Sequence, residues 1–298
     1  WQVMKVDRYL IPKNVEEAID YLCRYSGKAK VIAGGTDLML WIKEGKVQAN
    51  ALIDITEIDE LRHIEFTESE MIIGAAVTHA EIASNENIKK CFPCLSDGCR
   101  YVGSPQIRNI GTVGGNIVSA QPAADSAIPL IALGAVCEIL TEDGLRKAPL
   151  EELYAGVGKS KIDSTREILI RIIVPRPDSR YGTSLTRFAP REALALPIAN
   201  TAVKLEIEDN IIKDIRIAMA PVATTPLRPK KAEQYLLGRD IQTPEIFKEA
   251  AKIAAGEANP RDSLLRGSSK YRKALAEDLV NNALGNAVKN ILKNMEVL

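Results

Sequence analysis

The sequence predicts an α+β chain of two domains, on three observations. Its first third alternates capped helix signals with short apolar strands; Pro175 and Pro177 interrupt the chain after a strand-like run; beyond them the pattern changes to alternating strands followed by helices. With 298 residues, 46% of them hydrophobic, the chain can fill more than one core at about 100–200 residues per domain.

Asn14 with Glu17 makes a capping box for a helix whose Val15, Ala18, Ile19 and Leu22 share one face and which ends near Gly27. A buried strand follows from Lys30 to Ala33, and Gly34 and Gly35 turn the chain into a second helix, Asp37 to about Glu44, stopped by Gly45. A short strand is expected at Ala51 to Ile55, then two more, Arg62 to Phe66 and Met71 to Ala75, around a polar turn that favours a hairpin. Thr78 and Glu81 cap the next helix. Another, near Leu95 to Val102, leads through Ser104 and Pro105 to a glycine-dense stretch from Gly111 to Asn116. An apolar helix from about Asp125 to Leu133 and strands at Val136 to Thr141 and Glu167 to Val174 complete a first domain, 1–176, with subdomains about 1–57 and 58–176. In the second domain, 177–298, Ala202 to Glu206 and Ile211 to Ala220 alternate as strands around the turn Asp209-Asn210. Three helices end the chain, the middle one with Thr243 as N-cap, Pro244 at its first position and Gly256 at its end.

Basic and acidic residues balance at 39 each, so no long-range field favours nucleic acid or an anionic membrane. The longest strongly apolar run, Ala127 to Val136, contains Pro129 and falls well short of the ~20 residues of a membrane span. Trp1 to Lys5 lack the apolar stretch of a secretory signal, so a cytoplasmic protein is expected. The five cysteines are an odd number, which fits reduced thiols better than a disulfide framework. Cys91, Cys94 and Cys99 include one CxxC pair, but no fourth cysteine follows closely and His79 and His63 sit on other elements. A partly buried helix-and-loop region is therefore expected there rather than a metal centre.

Two glycine segments carry the chemistry. Val31-Ile32-Ala33-Gly34-Gly35-Thr36-Asp37-Leu38 places a glycine pair between a strand and a helix N-terminus, where backbone N–H groups are free to face an anion and a side chain would hold a phosphate away. Gly111-Thr112-Val113-Gly114-Gly115-Asn116 repeats the arrangement, with Thr112 and Asn116 as further polar contacts, and the pair suggests one diphosphate cradled from two sides. On this reading a bulky residue at Gly35 or Gly114 should weaken cofactor binding more than folding. Neither segment fits GxGxxG, so a Rossmann site is not expected. Gly158-Lys159-Ser160 imitates a P-loop, but Leu153 stands where the first glycine is needed, and the segment reads as an ordinary loop.

At these residues the chain resembles the medium, FAD-binding subunits of the molybdenum hydroxylases: xanthine, nicotinate, carbon monoxide and related dehydrogenases. The match runs through Ala33 to Leu38, Gln106 to Asn116 and Pro122 to Asp125, then Glu167-Ile168-Leu169 before Val174-Pro175, Ala218 to Arg228, and Arg266-Gly267-Ser268 with Tyr271-Arg272. The resemblance implies a p-cresol methylhydroxylase/vanillyl-alcohol oxidase-like FAD-binding domain of two α+β subdomains followed by a smaller C-terminal α+β domain. By position, Val31 to Leu38 and Gly111 to Asn116 would hold the diphosphate and ribityl chain, and the isoalloxazine would point toward the C-terminal domain. Ile107 and Val118 would line the cofactor, Asp125 would make a polar contact, and Ile168 and Leu169 would pack near the adenine. Arg187 occupies a position where relatives can have Lys close to the flavin.

The same resemblance implies partners: a large molybdopterin subunit that oxidises the substrate and a small subunit whose [2Fe–2S] clusters feed the FAD, in a heterotrimer or its dimer. Electrons would leave to NAD(P)+ or another acceptor, and the chain's own share would be to bind, orient and tune the flavin. No acid, base or nucleophile constellation is apparent in the sequence, consistent with an electron conduit. Asn116 runs to Pro122 without the cysteine-rich insertion that carries an extra [4Fe–4S] cluster in some members, so none is expected. Two other readings stay open: a self-contained flavin-dependent oxidoreductase, which would turn over alone, and a non-catalytic dinucleotide-binding module, which would be colourless.

Overall fold

The computed structural model describes residues 6–192 and 194–296; Trp1 to Lys5, read above for a secretory signal, lie outside them. Among the described residues no helix is long and apolar enough to cross a membrane.

The first unit is built from β1 (Arg8–Leu10), α1 (Val15–Tyr25), β2 (Ala29–Ile32), α2 (Leu38–Lys43) and β3 (Ala51–Asp54), with the strands parallel in the order β1-β3-β2. Helix α1 forms because Asn14 accepts from the Glu17 N–H and Val15, Ala18, Ile19 and Leu22 bury one face; Ser26, in the left-handed conformation, ends it. The Glu17 carboxylate accepts from the Lys13 N–H, so the expected capping box is not reciprocal at Asn14.

Next, β4 (Ile64–Phe66) and β5 (Glu70–Gly74) make the expected hairpin. Six short helices follow: α3 (His79–Ser84), with a complete Thr78–Glu81 capping box, α4 (Glu86–Cys91), α5 (Pro93–Tyr101), α6 (Pro105–Ile110), α7 (Val113–Val118) and α8 (Ala127–Ala132). Then come β6 (Val136–Thr141), β7 (Gly144–Pro149), the small hairpin of β8 (Tyr154–Gly156) and β9 (Lys159–Ser160), and β10 (Ile168–Pro175). The antiparallel sheet runs β4-β5-β10-β6-β7. β7 escaped sequence reading because it is an edge strand with exposed Gly144 and Leu145, so no clean apolar alternation marks it.

The third sheet is an antiparallel meander of β11 (Arg180–Phe188), β12 (Ala199–Glu208) and β13 (Ile211–Ala220), joined to α9 (Lys230–Leu236), α10 (Glu245–Glu257) and α11 (Ser269–Glu296). Asp209 and Asn210 both have positive φ, as the tight turn between β12 and β13 requires. β11 was not expected, since it is held by polar groups: the Ser184 hydroxyl donates to Ala283 O at 2.7 Å and the Thr186 hydroxyl to Leu279 O at 2.9 Å, both on α11. Thr243 does not cap α10. The helix starts one residue later with Pro244 at the cap and no side-chain bond, and Gly256 lies inside its last turn.

Side chains on β12 and β13 divide by parity. Val203, Leu205, Ile215, Ile217 and Met219 form one core with α9, α10 and α11, whereas Ala202, Ala218 and Ala220 join the helices of the first domain. Methyl-sized residues on that face let α8 lie on the sheet. Arg228 fastens the junction, donating to Glu151 at 3.1 Å on one side and Glu233 at 2.8 Å on the other.

Candidate functional site

Residues 33–37 form the turn between β2 and α2. Gly35 has φ +66°, a left-handed conformation that glycine adopts without strain. Gly34 meets a different need: a Cβ there would enter the Ile110 carbonyl group, so its absence lets this turn lie against the one between α6 and α7. The amides of Gly34, Gly35, Thr36 and Asp37 have no acceptor among the described residues, which leaves a row of donors for an anion.

The second glycine segment is not a loop and does not repeat this chemistry. Thr112 caps α7, its Oγ1 accepting from the Gly115 N–H at 3.1 Å, so Gly114 and Gly115 lie in the first helical turn. The amides here are already engaged: Val113 donates to Val77 O at 2.9 Å, Gly114 to Ala75 O at 3.0 Å and Asn116 to Thr112 O at 3.0 Å. A Cβ at Gly114 would stand 2.6 Å from Ala75 O, so this glycine serves helix–strand packing, and the expectation that a bulky residue there would spare folding is corrected. A Cβ at Gly115 meets Thr112 Oγ1 at 3.1 Å and nothing else within 4 Å. Asn116 accepts from the Ser126 hydroxyl at 2.8 Å through Oδ1, which leaves its Nδ2 as a donor.

Between these segments runs a groove of about 860 Å³, within the range of small-molecule sites. Residues 31–38 line it together with Ile107, Gly111, Thr112, Gly114, Gly115, Asn116, Val118 and Leu169. Three expected residues do not. Ile168 neighbours Leu169 on β10, so strand alternation sends its side chain into the core under α1. Asp125 and Arg187 are turned to each other, at 2.9 Å, and each side chain is only 5% exposed.

Sequence reading missed one wall. Gly158 to Ser164, of which Gly158 to Ser160 were set aside as an ordinary loop, line the groove and bring Lys159 and Lys161 to it; Lys30, which also lines it, donates to the Ser164 hydroxyl at 3.2 Å. The segment is still no P-loop, because β9 rather than a helix follows the glycine. Two of the lining carboxylates are occupied: Asp163 accepts from Thr165, and Glu167 accepts from both arms of Arg146 at 3.0 Å. Free amides, the Thr36 hydroxyl and the four lysines Lys30, Lys46, Lys159 and Lys161 therefore outweigh the one remaining carboxylate, Asp37, in the polar lining, a donor set that fits a diphosphate.

His79, the first residue of α3, also reaches the groove. It is 2% exposed, its Nδ1 has no partner among the described residues, and burial first, then the Arg108 charge, holds its pKa down to about 4. Because the folded value lies below the unfolded 6.5, the unfolded chain takes up the proton first, and stability falls as pH drops from about 6.5 toward 4. The shift corresponds to about 3 kcal/mol over that window. Urea melts of the wild type and His79→Gln at pH 7 and pH 4.5 check this: the variant is expected to lose less stability on acidification, and parallel losses would refute it.

Asp125 lies at a second cavity, about 650 Å³, which shares Asp37, Trp41, Val102, Asn116, Ser119 and Gln121 with the groove. Burial raises the Asp125 pKa, opposed by Arg187 and by Asn200, whose amide donates at 3.2 Å. Arg187 also donates to Ala195 O and sits 4.8 Å from the centre of the Tyr101 ring. Among the described residues no group of three or more His, Cys, Asp or Glu could hold a metal ion. Cys94 and Cys99 are buried, and burial pushes the Cys94 thiol up to about 12.

Residues 4–177 match the family model described as the FAD binding domain in molybdopterin dehydrogenase, and residues 184–287 match the carbon monoxide dehydrogenase flavoprotein C-terminal domain. The carbon monoxide dehydrogenase medium chain of Hydrogenophaga pseudoflava is 31% identical over 94% of this chain and 96% of its own. The nicotinate dehydrogenase FAD-subunit of Eubacterium barkeri is 30% identical over 80% and 82%. A chain of the solved carbon monoxide dehydrogenase from Hydrogenophaga pseudoflava that lacks the Mo-pyranopterin moiety superposes with a TM-score of 0.89 at 30% identity, covering 96% of this chain and 98% of that one.

Proposed function

Because this chain belongs to the family of FAD-binding subunits of molybdopterin dehydrogenases, we propose that its groove holds FAD with the diphosphate on the amides of Gly34 to Asp37. The family makes it the flavoprotein part of an oxidoreductase of the molybdenum hydroxylase kind. The row of four unpaired amides along an 860 Å³ groove is the observation that carries the residue assignment. Lys30, Lys159 and Lys161 neutralise phosphate charge along the wall, Leu169 packs beside the adenine, and Ile107 and Val118 cover the remaining apolar surface. Asp125 and Arg187 act together as a strut between the domains and not as separate flavin contacts. The division into a FAD-binding domain, 1–176, with subdomains about 1–57 and 58–176, and a C-terminal domain, 177–298, belongs to the same reading.

Bound FAD supplies one- and two-electron redox chemistry, and the residues named above bind it, orient it and keep its phosphates screened. In this proposal the chain works in the cytoplasm in a heterotrimer, or its dimer. A small subunit with [2Fe–2S] clusters delivers electrons, and a large molybdopterin subunit oxidises a small substrate such as an N-heterocycle. Electrons leave to NAD(P)+ or another acceptor.

The purified full chain is expected to bind one FAD, measured by absorbance and by acid release of the flavin, and its tagged form is expected to copurify with both partners. A folded chain that takes up no FAD on titration overturns the cofactor reading. Full-rate substrate oxidation by the isolated chain overturns the electron-conduit reading and favours a self-contained flavoenzyme.

A further inference from the structure

The backbone around His79 fixes its imidazole at the crossing of the two glycine segments. Thr78 caps α3 and closes the capping box with Glu81, and the His79 N–H donates to Gly111 O at 3.1 Å, so the first turn of α3 is pinned to the turn between α6 and α7. The ring lies beside that turn: a Cβ at Gly111 would stand 3.6 Å from His79 Cδ2. Gly34, the first of the four free amides, presses on the same turn, since a Cβ there would meet Gly111 Cα at 2.9 Å. The His79 side chain thus reaches the groove next to the row of donors and is almost wholly buried in doing so.

Its two ring nitrogens are not equivalent. Nδ1 is enclosed without a partner, whereas Nε2, which makes no hydrogen bond among the described residues either, is not enclosed. Burial, and then the charge of Arg108, whose guanidinium is held by Val102 O at 3.1 Å and Gly103 O at 3.3 Å, keep the ring neutral at pH 7. A neutral imidazole carries one N–H and one lone pair. An enclosed N–H with no acceptor costs more than an enclosed lone pair, so the proton belongs on Nε2 and the donor opens on the groove. A ring that only filled space in the core would leave no such donor waiting for an acceptor.

We propose that His79 is a cofactor-binding residue whose neutral Nε2–H donates to an oxygen of the diphosphate, alongside the amides of Gly34 to Asp37. This role rests on the FAD reading of the groove. The ring adds a directional hydrogen bond to the cradle without adding charge, and the lysines of the wall carry the neutralisation. It also ties the cofactor to α3, an element that neither glycine segment belongs to.

The test uses the full chain labelled with 15N-histidine, in which His63 and His79 are the only histidines. His63 is exposed, does not line the groove and serves as the internal control. Long-range proton–nitrogen correlation at pH 7 is expected to find the His79 proton on Nε2, and to show that resonance moving on FAD titration while His63 stays. His79→Leu is expected to weaken FAD binding by about tenfold or more, the loss of one hydrogen bond to a charged acceptor, and to shift the 31P resonances of the bound FAD. His79→Gln, whose amide N–H can stand near the position of Nε2, is expected to restore most of the affinity and the 31P positions; a ring needed only for its shape would gain nothing from glutamine over leucine. Should His79→Leu fail to fold, the wild-type ring signals and His79→Gln decide the matter. FAD uptake with an unmoved Nε2 signal, a proton on Nδ1, or wild-type affinity in a folded His79→Leu overturns the role and leaves the groove reading in place. No FAD uptake by the wild type overturns the groove reading, and the role falls with it.

Discussion

Gly115→Leu is expected to lower FAD affinity by about a thousandfold while the chain still folds. Position 115 lies in a helical turn, its φ is not left-handed, and a Cβ there meets only Thr112 Oγ1 before the groove. A leucine side chain would fill the space facing the amides of Gly34 to Asp37 and displace a diphosphate from about two charge-assisted hydrogen bonds of about 1.5–3 kcal/mol each. Helix propensity offsets the tight contact with Thr112, since glycine is worse than other residues by up to about 1 kcal/mol in a helix interior. Gly114→Leu makes the contrast: its Cβ meets the Ala75 backbone at 2.6 Å, where the Gly114 N–H is bonded, so stability is lost first. Flavin fluorescence titrations and thermal melts of both apo variants separate the effects. Equal FAD affinity in Gly115→Leu and the wild type would exclude this turn as part of the cradle.

Arg187→Ala is expected to destabilise the chain by about 3–5 kcal/mol, the usual result of leaving one member of a buried ion pair uncompensated. The side chain bonds Asp125 at 2.9 and 3.3 Å, holds Ala195 O and covers the Tyr101 ring, so it ties α8's approach, the α5 end and the segment after β11 to one point. Without it the Asp125 carboxyl, its pKa already raised by burial, shifts further up. A carboxyl raised in the folded state binds its proton there more readily than in the unfolded chain, so the variant's deficit should grow as pH rises through the raised value. Urea midpoints at pH 5 and pH 8 measure this. A deficit below about 1 kcal/mol, or one independent of pH, would show that the pair is not a strut. Asp125→Asn/Arg187→Ala should recover part of the loss, because it removes the stranded charge.

Local features were legible because their causes are local. The Asn14 cap, the Thr78–Glu81 box, the Asp209-Asn210 turn and the glycine pair after β2 all depend on residues within a few positions of one another, and each stands as a backbone feature where the sequence puts it. The strands that were missed owe their pairing to partners elsewhere: β11 to carbonyl groups of α11, and β7 to the edge of a sheet completed by β10. The groove's third wall was missed for a related reason. Nothing near Lys159 to Ser164 announces that these residues will face a turn more than 100 positions earlier.

By itself, the sequence determined the mixed α+β character, the family, the helix starts at Asn14 and Thr78 and the glycine turn before α2, since caps, periodicity and motif spacing are short-range properties. Tertiary structure alone decided what each glycine is for. Gly34 and Gly114 are required by the backbone of another segment pressing on them, whereas Gly115 borders open space, a distinction that depends on which atoms lie across the gap. It likewise decided that Asp125 and Arg187, 62 residues apart, neutralise each other, and that Arg272 is buried with no such partner. Charge compensation is settled by distance and burial in the folded chain, and sequence separation carries no record of either.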